Sequence, residues 1–260
     1  MPPSQLLADP WLTVTLSNGR SLRLKPVPSA RARRLRLTVC SGGVLRLTVP
    51  PGARLSQLER FVGQHEDWVL EKLAELKDAG AVRPPLRIGV SDRVSLRGTT
   101  LPLTWKQAAL PSVRLVDDRR LEVRLPELTR RHLPLAQGLI RSFLQGEARR
   151  DAGRLLNRYV PRVGRAPVGL SVRPLRSLWG SLSAGDRMSL DLSLVLAPPQ
   201  VFAYVVVHEL CHLYVRDHSP RFWNRVAEHF PSVDTQRAWL RQHGLTVKAE
   251  MGRLIGLESH

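Results

Sequence analysis

No stretch of this 260-residue chain stays apolar over the length a bilayer demands. Its first residues, Met1-Pro2-Pro3-Ser4-Gln5, do not run from a basic segment into an apolar one. The first absence excludes a helical membrane span and the second a secretory leader, so a cytoplasmic protein without a membrane partner is expected. Cysteine is scarce: Cys40 and Cys211 are the only two, too few for a disulfide scaffold. Acidic residues are short as well. Asp and Glu number 22 against 40 Lys and Arg, leaving a net charge of +18, and nearly all the cations are arginine. GC-rich coding produces such an excess, and a surface for nucleic acid or another polyanion requires one; composition does not separate the two. There is no internal repeat and no low-complexity tract. What is present, 43% hydrophobic residues, describes a globular chain long enough for one full core or two small ones.

The N-terminal half reads as strands. Residues 11–16 alternate, Asn18-Gly19 is a strong hairpin signal, and residues 21–25 continue the pattern. Arg34–Val39 and Val44–Val49 alternate cleanly, with Leu35, Leu37, Val39, Leu45, Leu47 and Val49 directed at a core. Arg34, Arg36 and Arg46 then share the outer face, the best-defined basic patch and the candidate polyanion surface. A helix is expected from Ser56 to about Lys77, opened by a Ser56-x-x-Glu59 capping box. More short strands follow over 86–125, Leu86-Arg87-Ile88 among them.

A long helix is expected from about Pro134 to Val160, with Leu135, Leu139, Ile140, Phe143 and Leu144 on its buried stripe. Next comes a hairpin with arms near Leu170–Arg176 and Arg187–Leu194, the second arm an edge strand beside the site described below. Later helices are expected over Pro220–His229 and Val233–Gln242, with Gly244 as a C-cap and a weakly patterned, partly mobile remainder. This divides the chain into a β-rich region with one helix (1–128), a catalytic region (129–245) and a tail (246–260).

The stretch that carries chemistry is Val205-Val206-Val207-His208-Glu209-Leu210-Cys211-His212, followed at an interval by His218. On a helix, residues i and i+4 share a face. His208 and His212 can therefore address one metal ion, with Glu209 placed to act on a water beside it. The motif follows an apolar run, Val201 to Val207, so its helix is expected to be buried, and buried imidazoles and a carboxylate need a partner to offset their desolvation. Cys211 falls off the ligand face and is expected to pack inward. His218 can join only if the helix bends or stops near Tyr214, since a continuing helix would carry it along and around the axis. His229, Glu228 and Asp217 are the other candidates for a third ligand. His218 is preferred because Ser219-Pro220 reads as the N-cap and first residue of a new helix.

The run from Tyr204 to Pro231, with its His-Glu-Leu-x-His-Leu core, a third His followed by Ser and a Phe222-Trp223 pair, resembles the YgjP-like zinc metallopeptidase family, relatives of the SprT and WLM proteases. Trp179-Gly180-Ser181-Leu182 matches that family's Trp-Gly-Ser-Cys stretch, with Leu182 in place of Cys; Asp191 stands where Asn is expected. The likeness spans about Arg33–Gly244, treats it as one YgjP-like domain, and implies an α+β fold: a β-rich half packed beside a compact, helical, minigluzincin-like core with a small sheet.

The function expected is zinc-dependent hydrolysis of a polypeptide substrate. Zn2+ is held by His208, His212 and His218, Glu209 is the general base, and Tyr204, Tyr214, Arg176 and His229 are candidates to stabilise the transition state. Two alternatives stand beside it. One is a metal-dependent nucleoside triphosphate pyrophosphohydrolase whose arginines hold the phosphates. The other is a non-catalytic zinc-containing binding module, which would close its metal with a fourth ligand and have no use for Glu209.

Overall fold

A computed structural model describes residues 11–39, 43–78, 84–175 and 177–257. Among these the architecture is α+β, with six helices and three mixed sheets. Two compact units divide the chain, one ending at Pro84 and the other spanning Pro85–Gly256.

In the first unit, β1 (Leu12–Thr15), β2 (Ser21–Pro28), β3 (Arg36–Val39) and β4 (Leu45–Val49) form a sheet of order β1-β2-β4-β3. Two antiparallel hairpins are joined by the parallel pair β2–β4. Leu24, Leu45 and Leu47 alternate inward and meet Leu58 and Val62 of α1 (Leu55–Gln64) and Val69 of α2 (Glu66–Asp78). The single helix expected from Ser56 is two. His65 caps α1, its ring nitrogen Nδ1 2.8 Å from the carbonyl of Phe61, and the chain restarts at Glu66. The capping box begins at Arg54 rather than Ser56: the Gln57 side chain accepts from the Arg54 N–H at 2.8 Å.

The second unit opens on an extended loop through Leu86-Arg87-Ile88, where a strand is expected; Leu86 is buried without ladder partners. Then β5 (Asp92–Leu96), β6 (Thr99–Gln107), β7 (Ser112–Val116) and β8 (Arg120–Leu125) repeat the first sheet's plan, order β5-β6-β8-β7 with a parallel pair at the centre. Leu103, Leu121, Val123 and Leu125 share one core with Ile140 and Leu144 of α3 (Leu133–Val163). These strands and α3 thus belong to the same compact unit, which begins at Pro85. Ala136, Ile140, Leu144, Ala148 and Ala152, four residues apart, are all fully buried, a ridge of the kind helices pack with. Leu135, expected on that stripe, is exposed.

The small third sheet corrects the expected hairpin. β9 (Gly169–Arg173) and β11 (Arg187–Asp191) run parallel, and the hairpin partner of β11 is a short strand between them, β10 (Gly180–Leu182). The order β10-β11-β9 makes β11 central and leaves β10 on the edge. α4 (Pro199–Cys211), α5 (Pro220–His229) and α6 (Val233–Ile255) complete the unit. α6 runs straight through Gly244 to a left-handed cap at Gly256, and buries Met251, Leu254 and Ile255. The expected tail is thus helix through residue 255. Gly244 serves packing instead: a Cβ there would lie 2.7 Å from the Trp179 ring.

Candidate metal centre

α4 is apolar nearly all round and buried over Val201–Val207, so His208, Glu209 and His212 sit on a helix fixed on several sides. The helix stops at once after the motif. His212 is its C-cap, and the turn Leu213–Val215 brings the Val215 carbonyl back to His212, whose Nδ1–H donates to it at 2.9 Å. That bond leaves Nε2 of His212 as an acceptor. Asp217 then accepts from the Ser219 N–H at 3.0 Å, and Pro220 starts α5. This reversal returns His218 over α4. Nε2 of His208 lies 3.2 Å from Nε2 of His212 and 3.2 Å from Nε2 of His218. Among the described residues, these three form the one group of His, Cys, Asp and Glu side chains able to hold a metal ion together. Asp217, Glu228 and His229 lie outside it.

The surroundings disfavour the charged forms of His208 and His212. Burial, with His212 and His218 close by, pulls His208 down to about 3, and burial lowers His212. Phe222, fully buried, stacks on His212 at 4.3 Å between centroids, while Trp223 lies 5.7 Å from His218. Glu209 is 4% exposed. Burial pushes its carboxyl up to about 8, and its Oε2 has no hydrogen-bond partner. Gly180 of β10 presses on it: a Cβ at that position would sit 2.6 Å from Glu209 Oε1. Cys211 is fully buried, its thiol pushed up to about 11 by desolvation.

These groups line a cleft of about 410 Å³ between α4 and the β10 wall of Leu178, Trp179, Gly180, Ser181 and Leu182. Of the four proposed stabilisers, Tyr204 is there. Its hydroxyl is 3.5 Å from His208 Nδ1, and burial raises it to about 12, so it stays a phenol. Tyr214 is turned away under the Arg225 guanidinium, His229 is at the far end of α5, and Arg176 lies outside the described residues. Arg216 lines the cleft, yet it is tied to Asp186 and, at 2.9 Å, to the carbonyl of Ser183. Arg165 holds Asp186 from its other side and the Leu213 carbonyl at 2.8 Å. Arg165, Asp186 and Arg216 together anchor the turn that brings His218 back. Sequence reading missed all three: Arg165 and Asp186 lie far from the motif along the chain, and Arg216, between His212 and His218, carries no signal that sets it apart from any other charged residue.

In the first unit, Arg36 and Arg46 share the outer face of the sheet: Arg46 pairs across from Thr38 and directly beside Lys25. Arg34 precedes β3 and is exposed.

No helix among the described residues is long and apolar enough to cross a membrane. No curated protein matches the chain. Solved structures similar to part of it include two metallopeptidase zymogens. The metallopeptidase zymogen jannalysin of Methanocaldococcus jannaschii is 17% identical over 35% of this chain and 94% of its own, with a TM-score of 0.32. The metallopeptidase zymogen abylysin of Pyrococcus abyssi is 25% identical over 35% of this chain and 96% of its own, with a TM-score of 0.31. The family described as YgjP-like, metallopeptidase domain, matches residues 33–243, most of the 260; the chain belongs to the YgjP-like metallopeptidase family.

Proposed function

We propose that the protein is a zinc metallopeptidase that cuts polypeptides with Glu209 as general base. The observation that carries this reading is the convergence of three imidazole nitrogens beside a buried carboxylate oxygen that has no partner of its own. Three imidazole nitrogens within 4.8 Å of one another, with His208 Nε2 3.2 Å from each of the other two, fit a shared cation. An all-imidazole set suits zinc among the common divalent metals, and three protein ligands are the number a catalytic zinc site uses. Zinc there would acidify a water and polarise the scissile carbonyl. Glu209 takes the proton of the attacking water and delivers it to the leaving amine. A cation held by the imidazoles would favour the carboxylate form of Glu209, the form that accepts a proton. Tyr204 is the side chain best placed to donate to the developing oxyanion.

β10 supports a peptide as substrate. Its edge is open, its residues line the cleft, and an extended chain can add to such an edge through main-chain hydrogen bonds. A nucleotide would need free converging cations, and the arginine lining the cleft is already committed to Asp186. The catalytic region proposed from sequence, residues 129–245, contains all of these groups.

The test pairs Glu209→Gln with His208→Ala, His212→Ala and His218→Ala. Glu209→Gln should keep about one zinc and lose turnover of a denatured protein by at least about 10²-fold. Each alanine variant should lose the metal. Robust, Glu209-dependent hydrolysis of nucleoside triphosphates with no polypeptide cut would overturn the peptidase reading, and full zinc in His218→Ala would remove the third ligand.

A further inference from the structure

Behind the cleft wall, on α6, one ammonium makes contacts that neither the imidazole group nor Glu209 requires. Lys248 Nζ lies 2.9 Å from the carbonyl oxygen of Leu175, 3.1 Å from that of Leu178 and 3.3 Å from Asp191 Oδ2. An ammonium has three protons, and these are three acceptors. The same nitrogen is 4.5 Å from the centre of the Trp179 ring. The Lys248 side chain is 13% exposed and that of Asp191 1%, so each charge would be costly without the other.

Asp191 works on the same segment. Its carboxylate accepts from the N–H of Leu175 at 2.6 Å and of Ser193 at 3.0 Å, and its own N–H donates to the Trp179 carbonyl at 2.8 Å. Leu178 and Trp179 belong to the cleft wall, and the next residue, Gly180, abuts Glu209. A counter-ion for Asp191 would need one contact. Here two of the three protons go to main-chain carbonyls that lead into the wall.

We propose that Lys248 is a positioning residue for peptide binding. Its ammonium fixes Leu178, Trp179 and the start of β10 so that an extended substrate meets the strand edge in register with the metal group. This inference rests on the peptidase reading above. The fit is to a compact head with three donors; a planar guanidinium presents its protons in a different fan.

The experiment compares wild type with Lys248→Met/Asp191→Asn, which removes both charges at once and so leaves no buried carboxylate unpaired. Metal content, KM and kcat on a denatured protein, and amide hydrogen exchange of residues 177–182 and of α4 are measured. The double variant should keep its metal and the protection of α4. Amides of 177–182 should exchange about tenfold faster, the change expected on losing a hydrogen bond to a charged donor, and KM should rise by a similar factor with kcat changed less. Wild-type KM and wild-type exchange in that variant would reduce Lys248 to a counter-ion and overturn the proposal. If the double variant loses α4 protection, Lys248→Arg, which keeps the charge and spoils the three-acceptor fit, is judged by the same two readouts. A wild type that cuts no polypeptide would defeat the peptidase reading, while the exchange measurement would still decide whether Lys248 holds the wall.

Discussion

Gly180→Ala is a one-carbon perturbation aimed at Glu209, the proposed general base. The added Cβ would lie 2.6 Å from Glu209 Oε1, 2.7 Å from its Cγ and 2.9 Å from its Cδ. Carbon atoms rest at about 3.5–4.0 Å from such neighbours, so either Glu209 or β10 has to move by roughly 1 Å. Glu209 has little room, being 4% exposed on a helix that is itself buried. The imidazoles are not touched. The expectation is therefore a separation of effects. Metal content stays at the wild-type level, stability drops by about 1–3 kcal/mol from overpacking, and kcat/KM on a denatured protein falls by about 10²-fold, the usual result of misplacing a reacting group by 1 Å. Gly185→Ala is the control, since a Cβ there meets nothing within 4 Å. Wild-type kcat/KM in Gly180→Ala, with metal content unchanged, would refute the placement of Glu209 as the base against this strand.

Glu209 also makes metal-free stability depend on pH. Its carboxyl is raised from 4.5 to about 8, so its contribution is least unfavourable below pH 4.5, worsens as pH rises, and levels off above about 8. Glu209→Gln should remove that slope and stabilise the chelator-treated protein by about 3 kcal/mol at pH 7; parallel stability-versus-pH curves for the two proteins in denaturant titrations would contradict it. For the outer face of the first sheet, the polyanion reading predicts that affinity for a single-stranded polynucleotide falls with added salt, and that Arg34→Ser/Arg36→Ser/Arg46→Ser flattens the dependence by up to about three ions. An unchanged slope would return the patch to a solvated sheet face.

The parts of the molecule legible in the sequence are those whose partners are close along the chain. His208 and His212 are one helical turn apart, and Ser219-Pro220 announces the start of α5, so the reversal that returns His218 needs only local signals. Alternation likewise marks β4, whose residues run buried and half-buried in turn. Pairing is another matter. The two four-stranded sheets have the same order, with a parallel pair at the centre of each. That plan leaves no trace as a sequence repeat, because each strand's pattern records only which face is buried. The hairpin expected from Leu170–Arg176 and Arg187–Leu194 failed for this reason. Both arms alternate, yet β10, three residues long and too short to show a period, takes the antiparallel place beside β11.

Glycine and lysine mislead in the same way. Gly244 reads as a helix stop, since glycine usually ends helices. Here the helix continues, and the missing side chain is the space that the Trp179 ring occupies. Lys248 falls in what reads as a tail, but its ammonium reaches back 73 and 70 positions to Leu175 and Leu178. Asp191, a departure from the residue expected by resemblance, is the partner that makes a buried ammonium tenable there. The three histidines are set by one helix and one turn, whereas the wall that faces them is set by contacts between β11, α6 and the segment before β10. A substitution of one of the three histidines should therefore act on the metal. One in this distant network should act on how a substrate is held while the metal stays in place, a difference that makes Lys248 a better probe of peptide binding than any residue of the histidine motif.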